Sequence, residues 1–393
     1  MVSACDSLKK VRNTVRMKKL QMVDLVSQYE KIKEEVDNSI LDIVGKAQFI
    51  NGPAVKEFQA DLERYLGVKH VIPCANGTDA LQIAMMALGL QPGDEVITPS
   101  YTYIATTEVI GLLRLKPVFV DCDPDTFNVS PEAIRKAITA KTKAIVPVHL
   151  YGQSCDMEAI MAIADEYDLF VIEDNAQAIG ADFTFSNGST QKTGAIGHVG
   201  CTSFFPSKNL GCYGDGGAMC TNDDELAEKL RMIASHGQSK RYYHDVVGCN
   251  SRLDTIQAAV LKIKLRFLDD YIAARQKAAA YYDAFFATIK GIKVPQRAEY
   301  SSHVFHQYTL QLPEEVDRDA LVDYLAKKDI PAMVYYPVPA HRQKMFATLD
   351  TASGDLTTTD WLTSRVVSLP MHTELTEEQQ AFICEGVKSY FKS

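Results

Sequence analysis

The sequence predicts an α/β protein: a mostly parallel sheet between helices, followed by a smaller α+β unit. Three observations carry that prediction. Short apolar runs of strand length alternate with stretches of helical period from about residue 69 to residue 233. The runs are near-continuously apolar, as in Ala144-Ile145-Val146-Pro147-Val148, the pattern of strands covered on both faces. The chemically unusual residues follow the ends of such runs, where open α/β sheets bind ligands.

Residues 24–47 place Leu25, Tyr29, Ile32, Val36 and Ile40 at three- and four-residue steps, which predicts a helix ended by Gly52-Pro53. A second helix over 54–66 sets Phe58, Leu62 and Leu66 on one face. Residues 69–73 form a short strand that feeds Cys74-Ala75-Asn76-Gly77-Thr78-Asp79 into a helix from 80 to 88. A small-residue turn opening a helix gathers free N–H groups at the positive end of the dipole and suits a phosphate. A plain cap by Asn76 or Thr78 fits the same residues. Strand 95–99 ends at Ser100-Tyr101-Thr102-Tyr103-Ile104, ahead of another helix.

Strands 117–121 and 144–148 follow. Asp121, Asp123 and Asp125 alternate after the first, without the glycine and distal glutamate of a calcium loop, and read as a solvated turn. His149, after the second, reads as a satisfied core or rim residue. A helix over 156–167 leads to strand 169–174. Residues 183–197, rich in Ser, Thr and Gly, are expected to be an exposed hairpin or loop. Strand 217–221 precedes a helix capped by Asn222-Asp223-Asp224-Glu225. A turn over 247–254 starts a long helix, 255–285. Beyond it, strands are expected near 304–312 and 331–335, and helices near 318–328 and 375–391.

Composition narrows the class. The chain has 393 residues, 46% hydrophobic and 23% charged, enough for a large core in two domains. A formal charge of −9 argues against a nucleic-acid or anionic-membrane surface, so an anionic ligand needs a local positive site. The nine cysteines are scattered without a C-x-x-C pair, which fits buried free thiols in a reducing cytoplasm and no zinc site. The basic run from Lys9 to Lys19 lacks the apolar segment of a secretory signal. Residues 1–21 are expected to be a flexible tail.

The decisive stretch is Thr202-Ser203-Phe204-Phe205-Pro206-Ser207-Lys208-Asn209-Leu210-Gly211. It ends an apolar strand and enters a glycine-rich loop that lacks G-x-G-x-x-G and leads into a strand, so it is no dinucleotide fingerprint. Lys208 is flanked by Phe204, Phe205, Pro206 and Leu210, which argues against a solvated loop lysine. An amine in a partly dry pocket loses its proton and attacks carbonyls. The hydroxyls of Ser203 and Ser207 suit a phosphate. A second apolar strand, Leu169-Phe170-Val171-Ile172-Glu173-Asp174, ends in a carboxylate. That carboxylate is either paired in a buried site or a helix cap. Together the lysine, the carboxylate and the hydroxyls are what pyridoxal phosphate requires.

The Ser203-to-Lys208 block, with Gly214-Asp215-Gly216-Gly217 behind it, resembles the DegT/DnrJ/EryC1/StrS family of nucleotide-sugar aminotransferases. The resemblance runs from about Met22 to the C-terminus, which makes Met17 or Met22 a candidate natural start. It implies a fold-type I pyridoxal-phosphate transferase. Residues 22–254 would form a large domain with a seven-stranded sheet, and 255–393 a linking helix and small domain. It implies catalysis by Lys208 and Asp174, phosphate contacts from Gly77, Thr78 and Ser203, ring stacking on Tyr103, and a bond from Gln177 to the ring hydroxyl. The counterpart of Asn250 reaches the neighbouring subunit's phosphate, which implies a homodimer with shared sites. Tyr335-Tyr336-Pro337 stands where the family often has His-Tyr-Pro on the substrate side. Arg252 reads equally as a surface ion-pair partner or, with Tyr335 and Tyr336, as an acceptor contact.

The chain looks most like the members that aminate UDP-2-acetamido-2-deoxy-3-keto-uronic acids for lipopolysaccharide and other surface polysaccharides. The resemblance implies L-glutamate as donor, a UDP-linked keto-sugar as acceptor and no metal. Some relatives are dehydratases with histidine where Lys208 stands, so the lysine favours amino transfer. The alternatives are amination of a 3- or 4-keto-6-deoxy sugar nucleotide, and a non-catalytic cofactor-binding regulatory protein.

Overall fold

The computed structural model describes residues 18–392. Most of the expected tail, with Cys5 and the basic residues from Lys9 to Arg16, lies outside the described residues. Leu20 lies inside them and corrects the expectation. It is 5% exposed and joins the C-terminal core with Tyr282, Phe305 and Met371.

The first helix, Leu25–Lys46, starts where the Asp24 carboxylate accepts the Ser27 N–H at 2.9 Å, and it buries Ile32, Val36 and Ile43. Pro53 opens the next, Pro53–Leu66, and Gly67 closes it in the left-handed region at φ 69°.

Across the main sheet the strands run His70–Cys74, Gly217–Thr221, Val199–Ser203, Phe170–Asp174, Thr142–Ile145, Glu95–Pro99, Lys116–Val120 and Ala352–Ser353. All pairs are parallel except the two made by Gly217–Thr221. Seven of these strands belong to the N-terminal two-thirds of the chain. The eighth is two residues of the C-terminal region, Ala352 and Ser353, paired with Val118 and Phe119. Two residues carry no readable period, so the sequence expectation of seven stops short of it.

Adjacent residues Val96 and Ile97 show both faces covered. Val96 packs with the helices Gly77–Ala87 and Asp224–Ala234, and Ile97 with Pro131–Ala137 and Met157–Tyr167. Every described cysteine is free, and all but Cys249 are buried.

The expected helix over 255–285 is two, Thr255–Leu265 and Leu268–Phe286. The first buries Ala258 and Leu261 in the core of Phe58 and Leu62, the second Tyr282 and Phe286 in the C-terminal core. Serving two cores requires the axis to turn, and it does so at Arg266-Phe267. The expected strand 331–335 shrinks to one bridge, Met333 to Ser368. Its partner Val366–Leu369, absent from the sequence reading along with the helix Thr357–Arg365, pairs fully with Tyr308–Gln311 instead.

The 183–197 segment is a hairpin with an exposed tip, but its base is internal, with Phe183 and Thr193 buried. The limb after Thr193 wraps Glu173, whose carboxylate accepts N–H bonds from Gly194, Ile196 and Gly197 at 2.8, 2.7 and 2.6 Å. His149 completes the set. Its Nδ1 accepts the Cys155 N–H at 3.0 Å, so its Nε2 carries the proton and donates to Glu173 at 2.8 Å. Both side chains have no solvent exposure, which makes His149 a satisfied core residue.

Burial works to raise the Glu173 pKa, but His149 and the loop amides outweigh it and hold the group below its usual 4.5. The stability it contributes is therefore present above pH 4.5 and is lost as pH falls through the depressed value. Glu173→Ala orphans four donors and should lower the unfolding free energy by about 3–5 kcal/mol in urea titrations at pH 7. The gap to the parent protein should narrow as the titrations are repeated below pH 4.5.

Candidate active site

A cavity of about 850 Å³ opens at the carboxyl ends of the parallel strands. Gly77, which meets Ser203, and Thr78 line it, as do Asp174, Gln177 and Lys208 and the neighbouring rings of Tyr103, Tyr336 and Tyr335.

The helix Gly77–Ala87 starts earlier than composition suggests. Asn76 caps it by accepting the Asp79 N–H at 2.8 Å. Cap and anion corner coexist, because among the described residues no acceptor takes the N–H groups of Gly77 or Thr78. Glycine is required at 77. A Cβ there would lie 2.7 Å from the Ser203 Cβ, so only glycine lets the helix end meet that strand end.

Asp174 ends its strand 5% exposed. Its Oδ2 accepts from Thr106 Oγ1 at 2.7 Å and its Oδ1 from the Ala176 N–H at 3.1 Å, and no described cation pairs with it. Lys208 is part-buried, with its backbone N–H donating to Phe205 O at 2.8 Å. Among the described residues nothing accepts a hydrogen bond from its Nζ. Burial carries the amine's pKa down to about 8 against the opposing charge of Asp174. An unbonded, dry amine and an unpaired carboxylate thus share one cavity.

Gln177 is held at both ends. Its Oε1 accepts the Tyr151 N–H at 2.7 Å and its Nε2 donates to Tyr336 Oη at 3.0 Å. Tyr103 is 56% exposed, its ring 6.0 Å from that of Tyr336. The Tyr335 carbonyl accepts from Tyr101 Oη at 2.8 Å and also from Tyr151 Oη, which fixes the aromatic side.

Asn250 and Arg252 do not line this cavity. Asn250 is exposed, and Arg252 has no ion-pair or hydrogen-bond partner among the described residues, so its surface ion-pair reading is not realised. Ser251 between them is anchored, donating to Asp79 Oδ2 at 2.6 Å. The cavity is also lined by residues the sequence reading missed, His306, Gln307, Met371, and Met22 with Val23, and Thr106 backs it through its bond to Asp174. Burial, then the charges of Lys208 and Arg275, drive the His306 pKa far down, and its buried Nδ1 has no partner. The one available signal was the clustering of His303 and His306 beside an expected strand. Among the described residues no three His, Cys, Asp or Glu side chains gather as for a metal.

Residues 30–388 match the model of the DegT/DnrJ/EryC1/StrS aminotransferase family. The chain belongs to this family. It is 47% identical to a pleiotropic regulatory protein of Geobacillus stearothermophilus, over 94% of this chain and 98% of that one. It is 46% identical to the UDP-2-acetamido-2-deoxy-3-oxo-D-glucuronate aminotransferase of Pseudomonas aeruginosa, over 94% and 99%. A solved structure of NtdA from Bacillus subtilis with bound PMP is 31% identical, with a TM-score of 0.86 over 97% of this chain and 87% of that one. The protein is an aminotransferase of nucleotide sugars, and its cofactor is pyridoxal 5'-phosphate.

The cavity of this aminotransferase fits that group. It pairs unspent helix N–H groups with a serine hydroxyl, and sets an unbonded amine near a carboxylate that lacks a cation. In the apoprotein the rate of pyridoxal phosphate capture, followed by stopped-flow absorbance, should rise about tenfold per pH unit up to pH 8 and level off above it. A flat rate between pH 6 and 8 would contradict the dry amine.

Proposed function

We propose that this aminotransferase moves the amino group of L-glutamate to the keto group of a UDP-linked sugar. The acceptor is the 3-keto position of a UDP-2-acetamido-2-deoxy-hexuronic acid, in a cytoplasmic step of surface polysaccharide synthesis. The observation that carries the reading is the unbonded Lys208 amine facing Asp174 beside the Gly77–Ser203 corner. Similarity to the Pseudomonas enzyme supports the acceptor class.

The bound cofactor supplies an electron sink that makes a carbon-bound proton acidic. Gly77, Thr78 and Ser203 would hold its phosphate, Tyr103 would offer a ring face, Gln177 would meet the ring hydroxyl, and Asp174 would pair with the ring nitrogen. Lys208 would hold the cofactor through its amine. Freed by the donor, that amine would take the proton from the donor's α carbon as a base and return it as an acid, and would serve the acceptor in the opposite sense. A pKa near 8 suits both directions at neutral pH.

Charge supports a homodimer with shared sites. Lys208 is the one lysine or arginine among the described residues lining the cavity, against Asp79, Asp174 and Asp215. A phosphate, a glutamate and a sugar diphosphate add several negative charges, which need cations or strong donors from elsewhere. Asn250 and Arg252, beside the anchored Ser251 and outside their own cavity, fit service in a second copy's site. Tyr335 and Tyr336 stand on the acceptor side.

The visible absorption of the holoenzyme tests the core reading. The yellow band should fall when L-glutamate is added, and turnover should follow with 3-keto-uronate UDP-sugars in preference to keto-6-deoxy sugars. A band unmoved by glutamate would favour the binding-only reading, which the name of the Geobacillus relative keeps in view. Mixing tests the shared site. Lys208→Ala and Asn250→Ala should each be inactive alone. An equal mixture, reassembled, should recover about a quarter of parent activity, because half the dimers carry one intact site of two.

A further inference from the structure

Thr106 lies in the first turn of the helix Ala105–Leu112, 1% exposed, and no motif marks it. Its hydroxyl has two acceptors within reach, Asp174 Oδ2 at 2.7 Å and the Tyr103 carbonyl at 3.3 Å. The single proton goes to the nearer, charged acceptor. Thr102 Oγ1 lies 3.1 Å from Thr106 Oγ1, and with that proton spent, Thr102 is the donor of the pair. A chain of two hydroxyls, Thr102 to Thr106 to Asp174, therefore ends on the carboxylate inside the protein, and all three residues are at most 5% exposed. With Ala176 on Oδ1, each carboxylate oxygen holds one protein donor and keeps a lone pair free.

We propose that Thr106 is a positioning residue for Asp174. It fixes the carboxylate's rotation and supplies the one protein donor on Oδ2, and through Thr102 it ties that carboxylate to the segment presenting Tyr103. One short stretch, 102–106, then sets both the partner of the cofactor's ring nitrogen and the wall against its face, in a single register. The inference rests on the Lys208–Asp174 reading of the site and adds to it the device that holds the Asp174 carboxylate in position. Without the hydroxyl, a buried carboxylate short of one donor draws the shared proton toward itself, and the ring becomes a poorer electron sink.

The test uses the holoenzyme loaded with ¹⁵N-ring-labelled pyridoxal phosphate, in the parent, Thr106→Val, Thr106→Ser and Thr102→Val. In Thr106→Val the ring ¹⁵N resonance should move toward that of the unprotonated ring. The single-turnover rate with glutamate should fall about tenfold, with the half-saturating glutamate concentration little changed. Thr106→Ser, which restores the donor, should stay within about threefold of the parent. Thr102→Val, which breaks only the far link, should move both readouts the same way by a smaller amount, and it serves if Thr106→Val does not fold. A parent-like ¹⁵N resonance and rate in Thr106→Val, or in Thr102→Val where that variant stands in, would overturn the role and leave Thr106 a space-filling residue. A parent that neither holds the label nor reacts with glutamate would remove the site reading itself, and this inference with it.

Discussion

Two adjacent carboxylates at the end of one buried strand constrain the whole active face. Glu173 and Asp174 point to opposite sides of the sheet, as strand neighbours must, and both are withdrawn from water. Burying a charge is tolerable only with compensation. Glu173 receives its full complement from the protein, three loop amides and one imidazole. Asp174 receives one donor per oxygen and no cation. The first carboxylate consumes the 193–197 loop to hold the strand end in place. The second is left with capacity, and that residual capacity suits a cationic ring. Structural and chemical roles are divided between neighbours by the number of donors each one finds.

The same division governs the buried cations. Lys264 is 1% exposed, yet its Nζ meets no carboxylate among the described residues. It donates to Gly211 O at 2.6 Å and so ties down the loop that leaves Lys208. Burial pushes its pKa down to about 8. Arg275, equally hidden, spends Nη1 on the carbonyls of Phe305, His306 and Met371, which joins two wall segments of the cavity. Neither residue presents its charge to the cavity wall. Lys208 differs from both in one respect, since no carbonyl has been given to it. A lysine wholly engaged by backbone makes a brace, whereas one half-buried with no acceptor among the described residues keeps its amine available to the cavity.

Much of this was legible because it is local. The apolar strand runs, the Asp174 strand end and the Lys208 block declare themselves within a few residues, and resemblance supplied the roles of Gly77, Tyr103 and Gln177. What escaped depends on distant pairing. Thr106 is an ordinary helix residue until the strand carrying Asp174 is laid beside it. Leu20 reads as tail until the C-terminal core offers it a seat. The eighth strand has no pattern of its own, and the long helix hides its break because both halves keep helical period while serving different cores. Arg252 shows the opposite case, a residue whose chemistry is plain and which finds no partner among the described residues of its own chain.

That last point follows from where the fold spends its charges. A site for anions is ordinarily lined with arginine, yet among the described residues this cavity is lined by Asp79, Asp174, Asp215 and a single lysine. Arg275 and Lys264 lie close by, already committed to carbonyls. Such a wall suits a cationic ring and a neutral amine, the parts of the chemistry that must stay fixed. The proposed shared site would leave the anionic, exchangeable parts to groups outside the wall, on the turn anchored by Ser251. Separating the two sets keeps mobile cations away from Lys208, where a neighbouring charge would lower its proton affinity further and spoil its match to neutral pH.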